Sequence, residues 1–199
     1  MKIEPNRRIS VFGVTQSGKT YFVKKLVRSL KNYIIYDIKR EYAGFGTIIR
    51  TPQGLKEAIR LKINKIVIQP LDLSPSYFDL FCEIIFKHLK NIMLVVDEIH
   101  KFCTKTQITY WFNSIITIAQ GKEFKIGVTA ITQRPANLHN DVITQSTVII
   151  SFMVKNHDAK AVSKFTGVPI ESIEKLPQHY FYLYDEYNYN KRYYKHTPI

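Results

Sequence analysis

The run Asn91–Glu98, NIMLVVDE, holds five consecutive apolar residues and then stops on two carboxylates, Asp97 and Glu98. A strand with one wet face alternates apolar and polar residues. This run does not alternate, so both of its faces must be covered. RISVFGV (Arg8–Val14), YIIYD (Tyr33–Asp37), KIVIQP (Lys65–Pro70), FKIGVTAITQ (Phe124–Gln133) and STVIISFMV (Ser146–Val154) also read as strands, several of them apolar throughout, and GTIIR (Gly46–Arg50) as a short, weaker one. Helical patterns lie between them: GKTYFVKKLVRSL (Gly18–Leu30), PQGLKEAIRLK (Pro52–Lys62), SPSYFDLFCEIIFKHLK (Ser74–Lys90) and QITYWFNSIITIAQG (Gln107–Gly121). Ser74 and Pro75 supply a cap and a first-turn proline, and Gly121 is the expected stop of the fourth helix. Two short helices follow, HDAKAVSKFTG (His157–Gly167) and PIESIEKL (Pro169–Leu176). Strand–helix alternation with doubly covered strands predicts an α/β three-layer sandwich around a mostly parallel sheet.

GVTQSGKT (Gly13–Thr20) joins the first strand to the first helix and fits G-x-x-x-x-G-K-[ST] without a mismatch. In that pattern the backbone N–H groups of Gly13, Val14, Thr15, Gln16, Ser17 and Gly18 face phosphate oxygens, and the helix N-terminus adds positive potential. Lys19 would reach the β- and γ-phosphates, and Thr20 would bind Mg²⁺ through its hydroxyl. The second metal partner of such a loop is an acid at the end of a buried strand, and Asp97 fits. Glu98 could polarise a water against the γ-phosphate as general base. In GVTAITQRP (Gly127–Pro135), Gln133 stands where a side chain could report on the γ-phosphate, and Thr132 could do so more weakly. The text Asp97-Glu98-Ile99-His100 lacks the D-x-x-G of small GTPases, and NKIV at Asn64 lacks the acid of a guanine-reading N-K-x-D.

Four pieces together, GVTQSGKT, YIIYDIKREYAG, LVVDEIH and IAQGKEFKIGVTAITQRP, resemble the FtsK–HerA superfamily of DNA-pumping ATPases. Within it the chain is similar to the small genome-packaging ATPases of archaeal icosahedral viruses with an internal membrane, the Sulfolobus turreted icosahedral virus type. In the second piece, Asp37, Glu41 and Tyr42 match the family's strand-two ending. The resemblance implies a RecA/FtsK-like P-loop NTPase that takes ATP and Mg²⁺, forms a homohexameric ring and moves double-stranded DNA through its pore. It implies a cation donated across the subunit interface, for which Arg134, Lys122 and Lys125 are the candidates. It further implies a place in the host cytoplasm and at the packaging vertex of the virion, with capsid or membrane proteins as neighbours. Two other readings stay open: a P-loop kinase of a small acceptor, and a nucleotide-gated scaffold with little turnover.

The chain has 199 residues, 45% hydrophobic, which suits one domain over residues 1–199. The formal charge of +13 fits either a lysine-rich proteome or a polyanionic partner such as nucleic acid. Lys101, Lys105, Lys122 and Lys125 flank the fourth helix, where a pore loop could grip DNA phosphates. Residues 179–196, crowded with tyrosine, read as a terminal antiparallel hairpin or as an aromatic-basic surface for bases or a partner. No apolar run is long enough for a membrane span, and MKIEPNRRIS lacks the apolar core of a signal peptide. Cys82 and Cys103 form no metal spacing and point to a reducing interior.

Overall fold

A computed structural model describes residues 6–186. Along the chain come β1 (Arg8–Phe12), α1 (Lys19–Arg28), β2 (Tyr33–Tyr36), β3 (Thr47–Ile49), α2 (Pro52–Arg60), β4 (Lys65–Ile68), α3 (Pro75–His88) and β5 (Ile92–Val96). Then follow α4 (Tyr110–Thr117), β6 (Ile126–Thr132), α5 (Asn140–Thr144), β7 (Val148–Ser151), α6 (His157–Thr166), α7 (Ile170–Glu174) and β8 (Tyr182–Asp185). The strands form one sheet in the order β3-β4-β2-β5-β6-β1-β7-β8. All pairings are parallel except that of β7 with β8.

The unbroken apolar strands follow from layers on both faces. Ile34 and Tyr36 of β2, with Leu94 and Val96 of β5, enter a core shared with α2 through α7. Tyr33, Ile35, Met93 and Val95 point the other way, into a core with Val23, Leu26 and Val27 of α1. Successive residues face opposite sides, so either face would select the same apolar chemistry. Each fully buried Val, Leu or Ile contributes roughly 1.5–3 kcal/mol of transfer free energy.

The helix starts are locally encoded. The Ser74 hydroxyl accepts from Tyr77 N at 3.3 Å, with Pro75 in the first turn; Thr51 caps α2 in the same way through Gly54 N at 3.1 Å, ahead of Pro52. The start of α4 is capped from outside: Asp79 Oδ1, on α3, accepts from Trp111 N at 3.0 Å and Phe112 N at 3.1 Å. Trp111 also packs against Phe86, with ring centroids 5.6 Å apart, and the Lys87 ammonium lies 4.7 Å from its ring centre.

The structure shortens α4 relative to the sequence expectation. The helix closes at Thr117, before Gly121, in the β-branched run Ile115-Ile116-Thr117-Ile118. Such side chains crowd the preceding turn, and the Thr117 hydroxyl turns back to Asn113 O at 2.7 Å. At the C-terminus, β8 takes the antiparallel place at the sheet edge beside β7. The remainder of the expected 179–196 hairpin, residues 187–196, lies outside the described residues. Cys82 and Cys103 are free and buried. Among the described residues no helix is long and apolar enough to cross a membrane.

Candidate active site

Parallel strands end on one edge, so the segments after β1, β2, β5 and β6 are gathered there although they lie far apart in sequence. In open α/β sheets this carboxyl edge is where ligands bind. Gly13–Thr20 leaves β1 and is tied to the end of β7 by Val14 N donating to Met153 O at 2.9 Å. Gly13 is required by space: a Cβ there would stand 2.5 Å from Ser17 Oγ and 2.7 Å from Phe152 Cβ. Gly18 is required by backbone, with φ at +108° where α1 begins. Ser17 Oγ is buried in this loop without a hydrogen-bond partner.

Lys19, first residue of α1, donates from Nζ to the loop's own carbonyls, Gly13 O at 2.6 Å and Val14 O at 2.7 Å. Burial lowers its pKa to about 8. The Thr20 hydroxyl donates to Glu41 Oε2 at 2.9 Å. Gln178 Nε2 reaches Gln16 O at 3.3 Å, so the segment before β8 touches the loop from the far end of the chain.

Asp97 and Glu98 leave β5 with 2% exposure each. Asp97 Oδ1 accepts from Glu98 N at 3.0 Å, whereas Oδ2 is buried and unpartnered. Burial, with the Glu98 charge adding to it, pushes the Asp97 carboxyl up to about 7. An orphaned buried carboxylate oxygen is costly unless a proton or cation joins it. Asp97 Oδ2 and the Thr20 hydroxyl are the oxygens here that could hold Mg²⁺, which takes oxygen donors. Among the described residues no three His, Cys, Asp or Glu side chains converge as a metal cage would need.

Glu98 sits in the left-handed region, φ 49° and ψ 46°, a conformation held only where the surroundings enforce it. Its Oε1 pairs with Lys39 Nζ and lies 3.4 Å from Gln133 Nε2. Its Oε2, 3.2 Å from His100 Nδ1, has no hydrogen bond, because that nitrogen bonds Thr132 Oγ1 at 2.8 Å. Burial lowers the His100 pKa, and the Glu98 charge opposes that shift. Gln133 turns its other end to the phosphate loop, Oε1 accepting from Thr15 Oγ1 at 2.8 Å.

The structure thus brings together Gly13–Thr20, Asp97, Glu98 and Gln133. Arg134 stands exposed at the same edge, its backbone N donating to Thr132 Oγ1 at 2.9 Å. Lys122 and Lys125 precede β6 and therefore lie at the opposite edge of the sheet; the crossover from β5 through α4 separates them from Lys101 and Lys105. Sequence reasoning missed Lys39 as a partner of Glu98 and Glu41 as a partner of Thr20. The adjacency of β2 and β5, in register Tyr36 with Val96, is what puts Lys39 there.

Comparison with known proteins is consistent with this edge. A family model described as helicase HerA, central domain, matches residues 5–157. The chain belongs to the HerA central-domain family. It thereby falls in the FtsK–HerA superfamily. This HerA-family chain is similar to the probable DNA double-strand break repair helicase HerA of Methanocaldococcus jannaschii, 32% identical over 111 residues, which are 54% of this chain and 20% of that protein. It is also similar to the DNA double-strand break repair helicase HerA of Saccharolobus solfataricus, 32% identical over 87 residues, 39% of this chain and 17% of that one. The chain spans about a fifth of the length of these curated relatives. Its fold matches the genome packaging NTPase of Sulfolobus turreted icosahedral virus 2 in complex with ATP-gammaS, with TM-score 0.83 and 22% identity, covering 99% of this chain and 100% of that one. The DNA-packaging ATPase of Sulfolobus turreted icosahedral virus matches with TM-score 0.82 and 24% identity over the same shares. At these identities the likeness is one of fold.

Proposed function

We propose that this HerA-family chain hydrolyses ATP and couples the hydrolysis to movement of double-stranded DNA, as a viral genome-packaging motor. The observation that carries the reading is the amide of Gln133, which touches the phosphate loop through Thr15 and the buried carboxylate of Glu98 at once. A general base joined in this way to the phosphate seat suits attack by water on a terminal phosphate. The HerA relatives and the packaging ATPases of like fold support the DNA half of the reading.

In this reading Lys19 leaves the Gly13 and Val14 carbonyls for phosphate oxygens, and the loop N–H groups hold the remainder. Mg²⁺ held by Thr20 and Asp97 would neutralise charge on the β- and γ-phosphates. Water attacks the γ-phosphorus, the bond to the bridging oxygen breaks, Glu98 takes the water proton, and ADP and phosphate leave. Gln133 orients the water and signals loss of the γ-phosphate. A homohexameric ring would place Arg134, Lys122 or Lys125 of a neighbour at each site. The +13 charge would grip DNA phosphates without reading bases. The same reading puts the chain in the host cytoplasm and at the packaging vertex, beside capsid or membrane proteins.

The test is steady-state ATP hydrolysis with and without long double-stranded DNA, at low and moderate salt. Phosphate release without any added acceptor, stimulated by DNA and losing that stimulation as salt rises, is expected. Turnover indifferent to DNA would remove the motor, and transfer only to a small acceptor would make the chain a kinase.

A further inference from the structure

Among the described residues Lys39 is the one lysine or arginine in direct contact with Glu98, and nothing in the phosphate-loop pattern accounts for it. It stands at the tip of a pinned loop. Asp37, fully buried, accepts from Glu41 N and Tyr42 N at 3.0 Å each and from Gln69 Nε2 at 3.3 Å. Tyr42 anchors the far side with no exposure, and Arg40 takes φ 59° to complete the turn. The loop after β2 is therefore fixed at both ends while Lys39 is directed across to the end of β5.

The two partners differ in freedom. The Glu98 side chain is 3% exposed and the Lys39 side chain 39%. Glu98 cannot follow a departing partner, whereas Lys39 can swing. Gln133 Nε2 and Lys39 Nζ address the same oxygen, Glu98 Oε1, and the other end of Gln133 rests on Thr15. One glutamine side chain thus spans the gap between the Lys39 contact and the phosphate loop. The Lys39 charge is also felt at Lys19. An anion seated on the loop would compete with Glu98 for this ammonium. A terminal phosphate carries about −1.5 to −2 near neutral pH against −1 for a carboxylate.

The geometry points to Lys39 as a catalytic cation supplied from within the same chain, resting on Glu98 and transferring to the γ-phosphate of a bound nucleoside triphosphate. This inference rests on the nucleotide-hydrolysing reading above. The exchange does two things. It places a positive charge beside the transferring group, over whose three equatorial oxygens the transition-state charge is spread. It also frees Glu98 Oε1 to take the proton of the attacking water. A diphosphate has no γ-phosphate and leaves Lys39 where it is.

The test compares unchanged chain with Lys39→Ala and Lys39→Arg, measuring binding of ADP and of a non-hydrolysable ATP analogue, then kcat and thermal unfolding. Loss of one charge-assisted contact should weaken the analogue roughly ten- to a hundredfold in Lys39→Ala. ADP affinity should stay unchanged and kcat should fall, with Lys39→Arg restoring much of both. A kcat that rises in Lys39→Ala with analogue affinity intact would make Lys39 only a restraint on Glu98 and overturn the inference. Equal losses for ADP and analogue, with earlier unfolding, would make it structural and overturn it too. In either case the unchanged chain would still bind and hydrolyse ATP, so the nucleotide reading would survive. An unchanged chain that binds no triphosphate would end both.

Discussion

Thr15 and Gln133 are 118 positions apart in sequence, yet the Thr15 hydroxyl donates to Gln133 Oε1 at 2.8 Å. The bond joins the phosphate loop after β1 to the strand end of β6 beside it. A change at one is felt at the other without passing through the core. Replacing Gln133 with Ala should lower kcat by about ten- to a hundredfold with little change in nucleotide affinity, the signature of an interaction made mainly in the transition state. Parallel measurements of kcat and of analogue binding decide it.

Glu98→Gln keeps the shape of the buried side chain and removes its capacity to take a proton. Turnover should fall by roughly 10²- to 10⁴-fold, while ATP remains bound. Retained turnover in this variant would exclude Glu98 as the base.

Affinity for the Mg²⁺ complex of a non-hydrolysable analogue should peak between about pH 7 and about pH 8. Lys19 has a lowered pKa near 8, so it is charged below that value and loses its charge above it. Phosphate binding should therefore weaken by about tenfold per pH unit on the alkaline side. Asp97 has a raised pKa near 7, so it takes a proton as pH falls through that value and the Mg²⁺-dependent part of the affinity is lost. Titration of Kd against pH checks both limbs, and Lys19→Arg, which stays charged, should flatten the alkaline one.

Gly13→Ala puts a methyl group 2.5 Å from Ser17 Oγ and 2.7 Å from Phe152 Cβ. Overpacking of this kind costs about 1–3 kcal/mol, and Tm should drop by about 2–4 °C per kcal/mol in a chain of this size. Nucleotide affinity should fall with it, because the loop must open to admit the methyl group. Calorimetry and binding on the same preparation test the pair of effects.

The fold and half of the site were legible for one reason: their signals are local. A strand covered on both faces is apolar throughout, as in Ile92–Val96, and Ser74-Pro75 announces α3. The phosphate loop and the Asp97-Glu98 pair sit at strand ends that can be counted along the chain. Lys39 gave no such signal, and Glu41, marked only through the family-like strand-two ending, gave no sign of its contact with Thr20. The Lys39 contact depends on β2 lying beside β5, and the strand order is not the sequence order. The five-residue helix α5, capped by His139 accepting from Asp141 N at 3.3 Å, is too short for a helical period to show. Gly121 misled because the β-branched run ended α4 first.

Asp79→Ala removes the acceptor shared by Trp111 N and Phe112 N. The cost should be about 0.5–2 kcal/mol, as for other helix caps, read as a shift in the urea midpoint with an unchanged slope. An unchanged midpoint would mean that solvent serves α4 as well as α3 does.

Trp111, so held, is also the chain's single tryptophan. The protein therefore carries one tryptophan fluorophore beside its 13 tyrosines, packed from α4 against Phe86 of α3 in the core that Ile99 also enters. Excited at the red edge of the indole band, where the 13 tyrosines absorb little, its emission comes from one place. A wavelength shift on adding nucleotide or DNA would report movement of α4 against α3 in unlabelled material, on the timescale of mixing.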